Sequence, residues 1–386
     1  MLERYAESIE DNSMNVLYDH QVFDFQNIGG ISRYFVELLR HNPAAQLSLR
    51  YSDNIYLQEK CFADYGILPR NHVRNTFLPN LHFKGKRLLS RYYTKLFKKT
   101  NISLTLKKLK KANYDVFHPT YYDPYFLQYL NNKPFVLTVH DMIHELFPQY
   151  FLALADKITV PNKKRLILEA AMIIATSENT KKDILRFFPG LAGKIKIIYH
   201  GSSFSPILLD EKKEDYILFT GSRGRYKNFD NFVMAAAPLL IKYDLRLICT
   251  GSPFNEKEKA LLESLNISGR VICKFASEED LIGLYSRAIA FVFPSLYEGF
   301  GIPILEAFSA SCPVVSSNTS CFPEIASDAA VYFDPYSIDD MRNQIDSVLC
   351  SPSMQKDLVK KGKARQNQFS WKKCFEETTK VYQSIC

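Results

Sequence analysis

Apolar residues in this chain fall in short unbroken runs, and most of these runs are followed by a stretch with helical spacing. Residues 15–18 (NVLY) read as a first strand, and residues 31–40 (ISRYFVELLR) as a helix after a Gly-Gly turn. Residues 115–118, 135–140 and 173–175 read as buried strands, and 177–186 (SENTKKDILR) as a helix carrying its own cap. Residues 196–199 close this series at a Gly-Ser-Ser turn. A loop rich in Ser, Pro and charge follows over residues 201–215, and a second series then begins. Its strands are expected at 216–220, 245–250, 271–274, 290–293, 314–316 and 331–333, and its helices at 228–242, 281–287 and 303–309. Strands without polar alternation are those covered on both faces, and their regular exchange with helices implies right-handed crossovers and parallel sheets. The fold class is therefore α/β, with two doubly wound, Rossmann-like domains facing a cleft: residues 1–205 and residues 206–370. Ligands are expected outside the carboxyl ends of the strands.

The length of 386 residues fits two domains of ordinary size. No apolar run is long enough for a membrane-spanning helix, and the first residues lack the basic-then-apolar pattern of a signal peptide. Eight cysteines without a Cys-x-x-Cys pair predict reduced thiols in a cytoplasmic protein and no zinc site. The formal charge of +8 is unevenly placed. Residues 65–114 contain thirteen basic side chains and no acidic one, so the remainder is net acidic. The basic character thus marks one local surface, centred on residues 84–111, and not an affinity for nucleic acid. Within it, Leu88, Leu89, Tyr92, Leu96 and Phe97 fall on one side of an expected helix, with Arg91, Lys95, Lys98 and Lys99 largely on another. That pattern suits an anionic membrane surface, or equally a solvated helix whose apolar face packs on the first domain.

The chemistry is concentrated in residues 297–306 (YEGFGIPILE), which follow the strand at 290–293. Glu298 and Glu306 stand eight positions apart, with Gly299 and Gly301 between them, and Pro303 suits the first turn of a helix. A helix starting near Ile302 would point its free N–H groups into the cleft, a disposition that binds phosphate. A second site is residues 220–228 (TGSRGRYKN), where a Gly-Ser turn lies beside Arg223, Arg225 and Lys227 and suits a departing diphosphate. Gly29 and Gly30 allow close backbone approach after the first strand. His140 and His118 end neighbouring strands, which places both at the cleft edge. No Asp-x-Asp metal motif is present, and Glu278-Glu279-Asp280 reads as an acidic cap before a helix.

Residues 297–306 resemble the Glu-x7-Glu motif of the retaining glycosyltransferases of family 4, which have the GT-B fold. The likeness extends in order through FQNIGGISRYFVELL, DVFHPTYY, LTVHDMIHELFP, ATSENTKKDI, HGS, LFTGSRGRYKNF and CFPEIASDAAVYFDP. The resemblance implies transfer of a hexose from a nucleotide-sugar, with GDP-mannose favoured and a UDP-sugar next, to a glycan or lipid-linked glycan in bacterial surface polysaccharide synthesis. It implies that His140 and Glu298 attend the transferred sugar, and that Lys227, with Arg223 or Arg225, holds the diphosphate. Glu306 would hold the ribose hydroxyls, Gly30, Gly221, Phe300, Gly301 and Ile302 would line the donor, and Gly29, His118 and Asp141 would face the acceptor or cleft. Anomeric configuration would be retained, no metal or other cofactor is expected, and residues 371–386 would form a helix crossing back to the first domain. Two rivals share the scaffold. A nucleotide-dependent oxidoreductase needs a Gly-x-Gly-x-x-Gly after its first strand, which is absent here. A silent nucleotide-binding protein would have lost Glu298, Glu306 or Lys227.

Overall fold

The computed structural model describes residues 14–70, 86–202, 204 and 212–386. The first domain has strands β1 (Val16–Tyr18), β2 (Gln46–Leu47), β3 (Val116–His118), β4 (Val136–Val139), β5 (Met172–Ala175) and β6 (Ile195–Ile197). They form two parallel sheets, ordered β2-β1-β3 and β4-β5-β6, which a bridge between Phe117 and Phe135 joins edge to edge. Helices α1 (Gly30–His41), α2 (Lys86–Lys111), α3 (Leu154–Glu169) and α4 (Glu178–Phe187) cover them. Ser177 caps α4 by accepting from the Thr180 N–H, as its sequence predicts. Among these elements, β2 and α3 escaped the sequence pattern. β2 is only two residues long, and α3 has Pro161 in its interior.

The second domain holds one six-stranded parallel sheet. Its strands are β7 (Tyr216–Phe219), β8 (Arg246–Thr250), β9 (Val271–Lys274), β10 (Ala290–Phe293), β11 (Val314–Ser317) and β12 (Ala330–Phe333), in the order β12-β11-β10-β7-β8-β9. The winding reverses between β7 and β10, so the loops leaving these two strands diverge and open a crevice. Those loops are residues 220–228 and 294–301, the two segments singled out by chemistry. The helices are α5 (Phe229–Lys242), α6 (Glu256–Ser264), α7 (Glu278–Arg287), α8 (Ile302–Ser309), α9 (Ile338–Leu349), α10 (Pro352–Gln366) and α11 (Trp371–Gln383). α7 begins earlier than expected because Ser277 and Asp280 form a capping box, which puts Glu278 in the first turn. Buried Val, Ile, Phe and Ala on both faces of each sheet supply the cohesion of the two domains.

α11 returns to the first domain and packs along α1. The Tyr382 hydroxyl on α11 meets the Tyr18 hydroxyl at 2.9 Å and His118 Nδ1 at 2.7 Å. Gly201, on the link between the domains, lies against the start of α11, where a Cβ would stand 2.3 Å from the Trp371 nitrogen. This helix corrects one expectation. His118 is fully buried beneath α11, its second ring nitrogen 2.9 Å from the Thr138 hydroxyl, and it does not line the cleft. Burial lowers its pKa to about 3, so the ring is neutral. Among the described residues no helix is long and apolar enough to cross a membrane.

Candidate active site

The second domain builds its half of the site at the crevice between β7 and β10. Gly301 caps α8 with φ of 91°, a left-handed conformation that a side chain disfavours, and Pro303 follows in the first turn. The Glu298 main chain is clamped on both sides by Ser320, whose hydroxyl accepts from the Glu298 N–H at 3.2 Å and donates to its carbonyl at 2.6 Å. The Glu298 side chain meets Lys227, with Nζ 2.5 Å from Oε1. The ammonium also lies 5.3 Å from the Tyr226 ring and 5.8 Å from the Phe293 ring, so the pair is partly shielded from water. Gly221 turns the chain out of β7 with φ of 95°, and Gly251 packs against its carbonyl. Glu306, one turn into α8, accepts from the Tyr285 hydroxyl at 3.2 Å.

Arg223 lies apart from the Lys227–Glu298 contact. Its guanidinium is bonded to the Glu258 carboxylate at 3.2 Å and to the carbonyls of Ser252 and Pro253 at 2.5 and 3.0 Å, and it stacks on Phe254. These bonds tie the β7 turn to the loop after β8. The side chain is 4 % exposed, so its fixed charge acts from within the wall. The Arg225 side chain lies outside the described residues.

The first domain meets this surface closely. A Cβ on Gly299 would stand 1.7 Å from the His140 carbonyl oxygen, so only glycine admits the observed approach. Thr176 fastens the contact by standing 3.0 Å from the His140 carbonyl and 3.1 Å from that of Gly299. Gly30 opens α1 opposite α8, where a Cβ would lie 3.4 Å from Ile302. Beside it, the Gln26 side chain, which adjoins Gly29, accepts from the Ser32 N–H at 2.7 Å. Further contacts cross the cleft. Tyr297 donates to Asp183 at 2.7 Å, Arg33 meets Glu278 at 2.5 Å, and Glu324 caps α4 by accepting from the N–H groups of Glu178 and Asn179. None of these pairings was legible in the sequence, because each joins residues more than a hundred positions apart.

His140 is 8 % exposed, and its Nε2 has no hydrogen-bond partner among the described residues. Burial, then the neighbouring His200, His118 and Lys163, hold its pKa well below the usual histidine value. It is therefore a neutral imidazole that can donate or accept a hydrogen bond but brings no positive charge. His200 lies 6.2 Å from it between ring centroids, with a pKa lowered to about 3 by burial. Asp141 does not orient His140 through a described bond; its carboxylate accepts from the Ile143 N–H at 3.0 Å. The Phe300 ring is buried 4.9 Å from His200, so this residue can offer a ligand only its backbone. Sequence reasoning missed Tyr285 and Ser320. Tyr285 sits at an apolar position of its helix and reads as core, and Ser320 has no signal beyond its place after β11. Among the described residues no group of three His, Cys, Asp or Glu side chains is disposed to hold a metal ion.

Comparison with known proteins agrees with this geometry. Residues 28–203 match the family described as Glycosyltransferase Family 4, and residues 203–365 match Glycosyl transferases group 1. O-antigen chain mannosyltransferase B of Escherichia coli is 28 % identical over 70 % of this chain and 74 % of its own length. O-antigen chain mannosyltransferase RfbU of Salmonella typhimurium is 28 % identical over 52 % of this chain and 56 % of its own length. Among solved structures, Anabaena HepE in complex with UDP and glucose superimposes with a TM-score of 0.70 over 96 % of this chain and 100 % of its own, at 15 % identity. Two family signatures in tandem, meeting at residue 203 between two Rossmann-like domains, place this chain among the glycosyltransferases of the GT-B fold.

Proposed function

We propose that this glycosyltransferase moves a mannose from GDP-mannose, or failing that a hexose from a UDP-sugar, onto a glycan or lipid-linked glycan acceptor of a bacterial surface polysaccharide. The reading of sugar and acceptor is supported by the mannosyltransferase and O-antigen names of the relatives. The observation that carries the chemistry is the Lys227–Glu298 contact at the switch point, facing the Gly299–His140 junction across the cleft. Lys227 takes the charge of the departing diphosphate, with the N-terminus of α8 beside it. Arg223 stiffens the turn and adds its positive field from within the wall. Glu306 takes the ribose hydroxyls. His140, kept neutral, hydrogen-bonds a hydroxyl of the transferred sugar, and Glu298 steadies charge developing at the anomeric carbon.

Retention follows a front-face course in this reading. The bond from the anomeric carbon to the phosphate oxygen breaks, and the acceptor oxygen bonds the same carbon from the same face. The acceptor proton passes to the departing phosphate oxygen. Lys227 replaces a metal ion in this scheme. The protein works in the cytoplasm against the inner membrane surface, which the basic helix α2 touches.

The test is a panel of nucleotide-sugars screened by thermal shift, followed by transfer to a glycan acceptor with the product's anomeric configuration read by NMR. GDP-mannose should raise the melting temperature most and give an α-linked product. A β-linked product would remove the retaining course, and a panel without any shift would remove the donor reading.

A further inference from the structure

Tyr285 is in contact with the donor-side machinery, and the reading above leaves it without a role. It lies on α7, is fully buried, and packs its ring edge-on against Phe291 at 5.2 Å. A tyrosine needed only for packing would lose nothing as phenylalanine. This one carries its hydroxyl into a gap between two separate segments. The oxygen lies 3.2 Å from the Thr220 hydroxyl at the end of β7 and donates to Glu306 Oε2 on α8 at 3.2 Å. Thr220 begins the turn that holds Gly221 and Lys227, and its neighbour Gly221 takes a further bond from its N–H to Thr250 at 3.3 Å. One phenol therefore links the diphosphate turn to the carboxylate assigned to ribose.

We infer that Tyr285 is a positioning residue for the nucleotide, holding Glu306 in one rotamer and in register with the Thr220–Lys227 turn. The inference rests on the donor reading given above. The physical reason is entropic. An unrestrained glutamate one turn into a helix samples several rotamers, and gripping a ribose would require it to give them up. A hydroxyl from a rigid ring removes that cost before the ligand arrives. The same bond cannot serve a covalent step, because burial and the adjacent Glu306 carboxylate push the phenol well above its usual pKa and keep it protonated.

The experiment compares wild type, Tyr285→Phe, Glu306→Ala and the double variant, with GDP and UDP as probes in calorimetric titration. The steady-state constants for the nucleotide-sugar are measured in parallel. Tyr285→Phe should weaken nucleoside diphosphate binding about tenfold or more, the effect of one charge-assisted hydrogen bond. KM should rise by the same factor, kcat should stay within about twofold, and the melting temperature should stay close to wild type. In the Glu306→Ala background the added Tyr285→Phe change should have no further effect on affinity, since the hydroxyl acts through that carboxylate. Unchanged affinity in Tyr285→Phe, or an equal loss with and without Glu306, overturns the inference while leaving the donor reading intact. Wild type that binds neither GDP nor UDP overturns both.

Discussion

Lys227 and Glu298 meet at 2.5 Å although seventy-one positions separate them, one on the loop after β7 and the other on the loop after β10. The contact places a cation and an anion at the only point of the six-stranded sheet where neighbouring strands send their loops apart. Each holds the other in place until a ligand separates them. On the donor reading proposed above, a diphosphate would compete with Glu298 for the ammonium, and donor binding would free the carboxylate as the sugar arrives beside it. Glu298→Gln should therefore lower kcat by about a hundredfold or more while raising nucleotide affinity, since the amide competes less well for the ammonium. Lys227→Met should chiefly weaken the nucleoside diphosphate. Single-turnover kinetics and GDP titration separate the two, and an affinity loss in Glu298→Gln equal to that in Lys227→Met would show that both act on binding alone.

Activity should persist in excess EDTA. The basis is Lys227, which the proposal above gives the charge of the departing diphosphate, together with a sequence that has no Asp-x-Asp pair. A rate that disappears with chelator and returns with Mg²⁺ or Mn²⁺ would assign the leaving-group charge to a metal.

Gly299→Ala should disable the enzyme without touching its ionisable groups. The added methyl would overlap the His140 carbonyl, whose oxygen lies 1.7 Å from its position, and the two domains must part to admit it. Misplacing the sugar relative to His140 by about 1 Å costs on the order of a hundredfold in rate. GDP binding, which belongs to the second domain, should change little. A variant with wild-type turnover would mean that the closed contact is dispensable.

Acid should destabilise the fold through three buried histidines. His118 and His200 have pKa values lowered to about 3, and His140 is also lowered. The unfolded chain titrates these rings near pH 6.5, so below that pH it takes up protons that the folded state refuses. Stability is thus fully present above about pH 7 and falls as the pH drops towards 3, by up to about 1.4 kcal/mol per histidine per pH unit. Denaturant midpoints at pH 7.5 and 5.5 measure this, and His118→Gln should flatten the slope. Equal midpoints would show that the rings protonate without cost.

The basic helix gives the last prediction. On α2, Tyr92 is 63 % and Leu96 44 % exposed, with Lys95, Lys98 and Lys99 on the surface beside them. Phe97 instead faces inward and packs with Tyr51 and Tyr93. The expected single apolar side is therefore split between core and solvent, because a helix lying on a domain must spend part of its apolar surface there. The side chains of Leu88, Leu89 and Arg91 lie outside the described residues. Vesicles containing anionic lipid should sediment the protein at low salt, through about 1 kcal/mol for each basic side chain near the surface. Salt and the combined change of Arg91, Lys95, Lys98 and Lys99 to Glu should release it. Protein that stays in the supernatant at low salt would leave the basic face to an anionic polysaccharide.

Much of this was legible along the chain. Buried parallel strands announce themselves as unbroken apolar runs, and β10 and β9 lie where those runs lie. Gly301 and Pro303 mark the start of α8 because a left-handed cap and a first-turn proline are local demands of the backbone. Glu298, Glu306 and Lys227 could be named because their chemistry is carried by residue type at fixed short spacing. What the tertiary structure alone decided is which of these groups meet. Arg223 and Lys227 look alike in sequence, yet Glu258, brought in from another helix, claims the first and leaves the second to Glu298. His118 and His140 both end strands, yet α11 crosses one and leaves the other at the domain junction. Tyr285 reads as core by its helical position, and only the fold shows that its hydroxyl reaches Glu306. Local sequence specifies backbone conformation and burial because those depend on near neighbours; the partner of a charged or hydroxyl group depends on chain crossings tens to hundreds of residues apart, which no local pattern records.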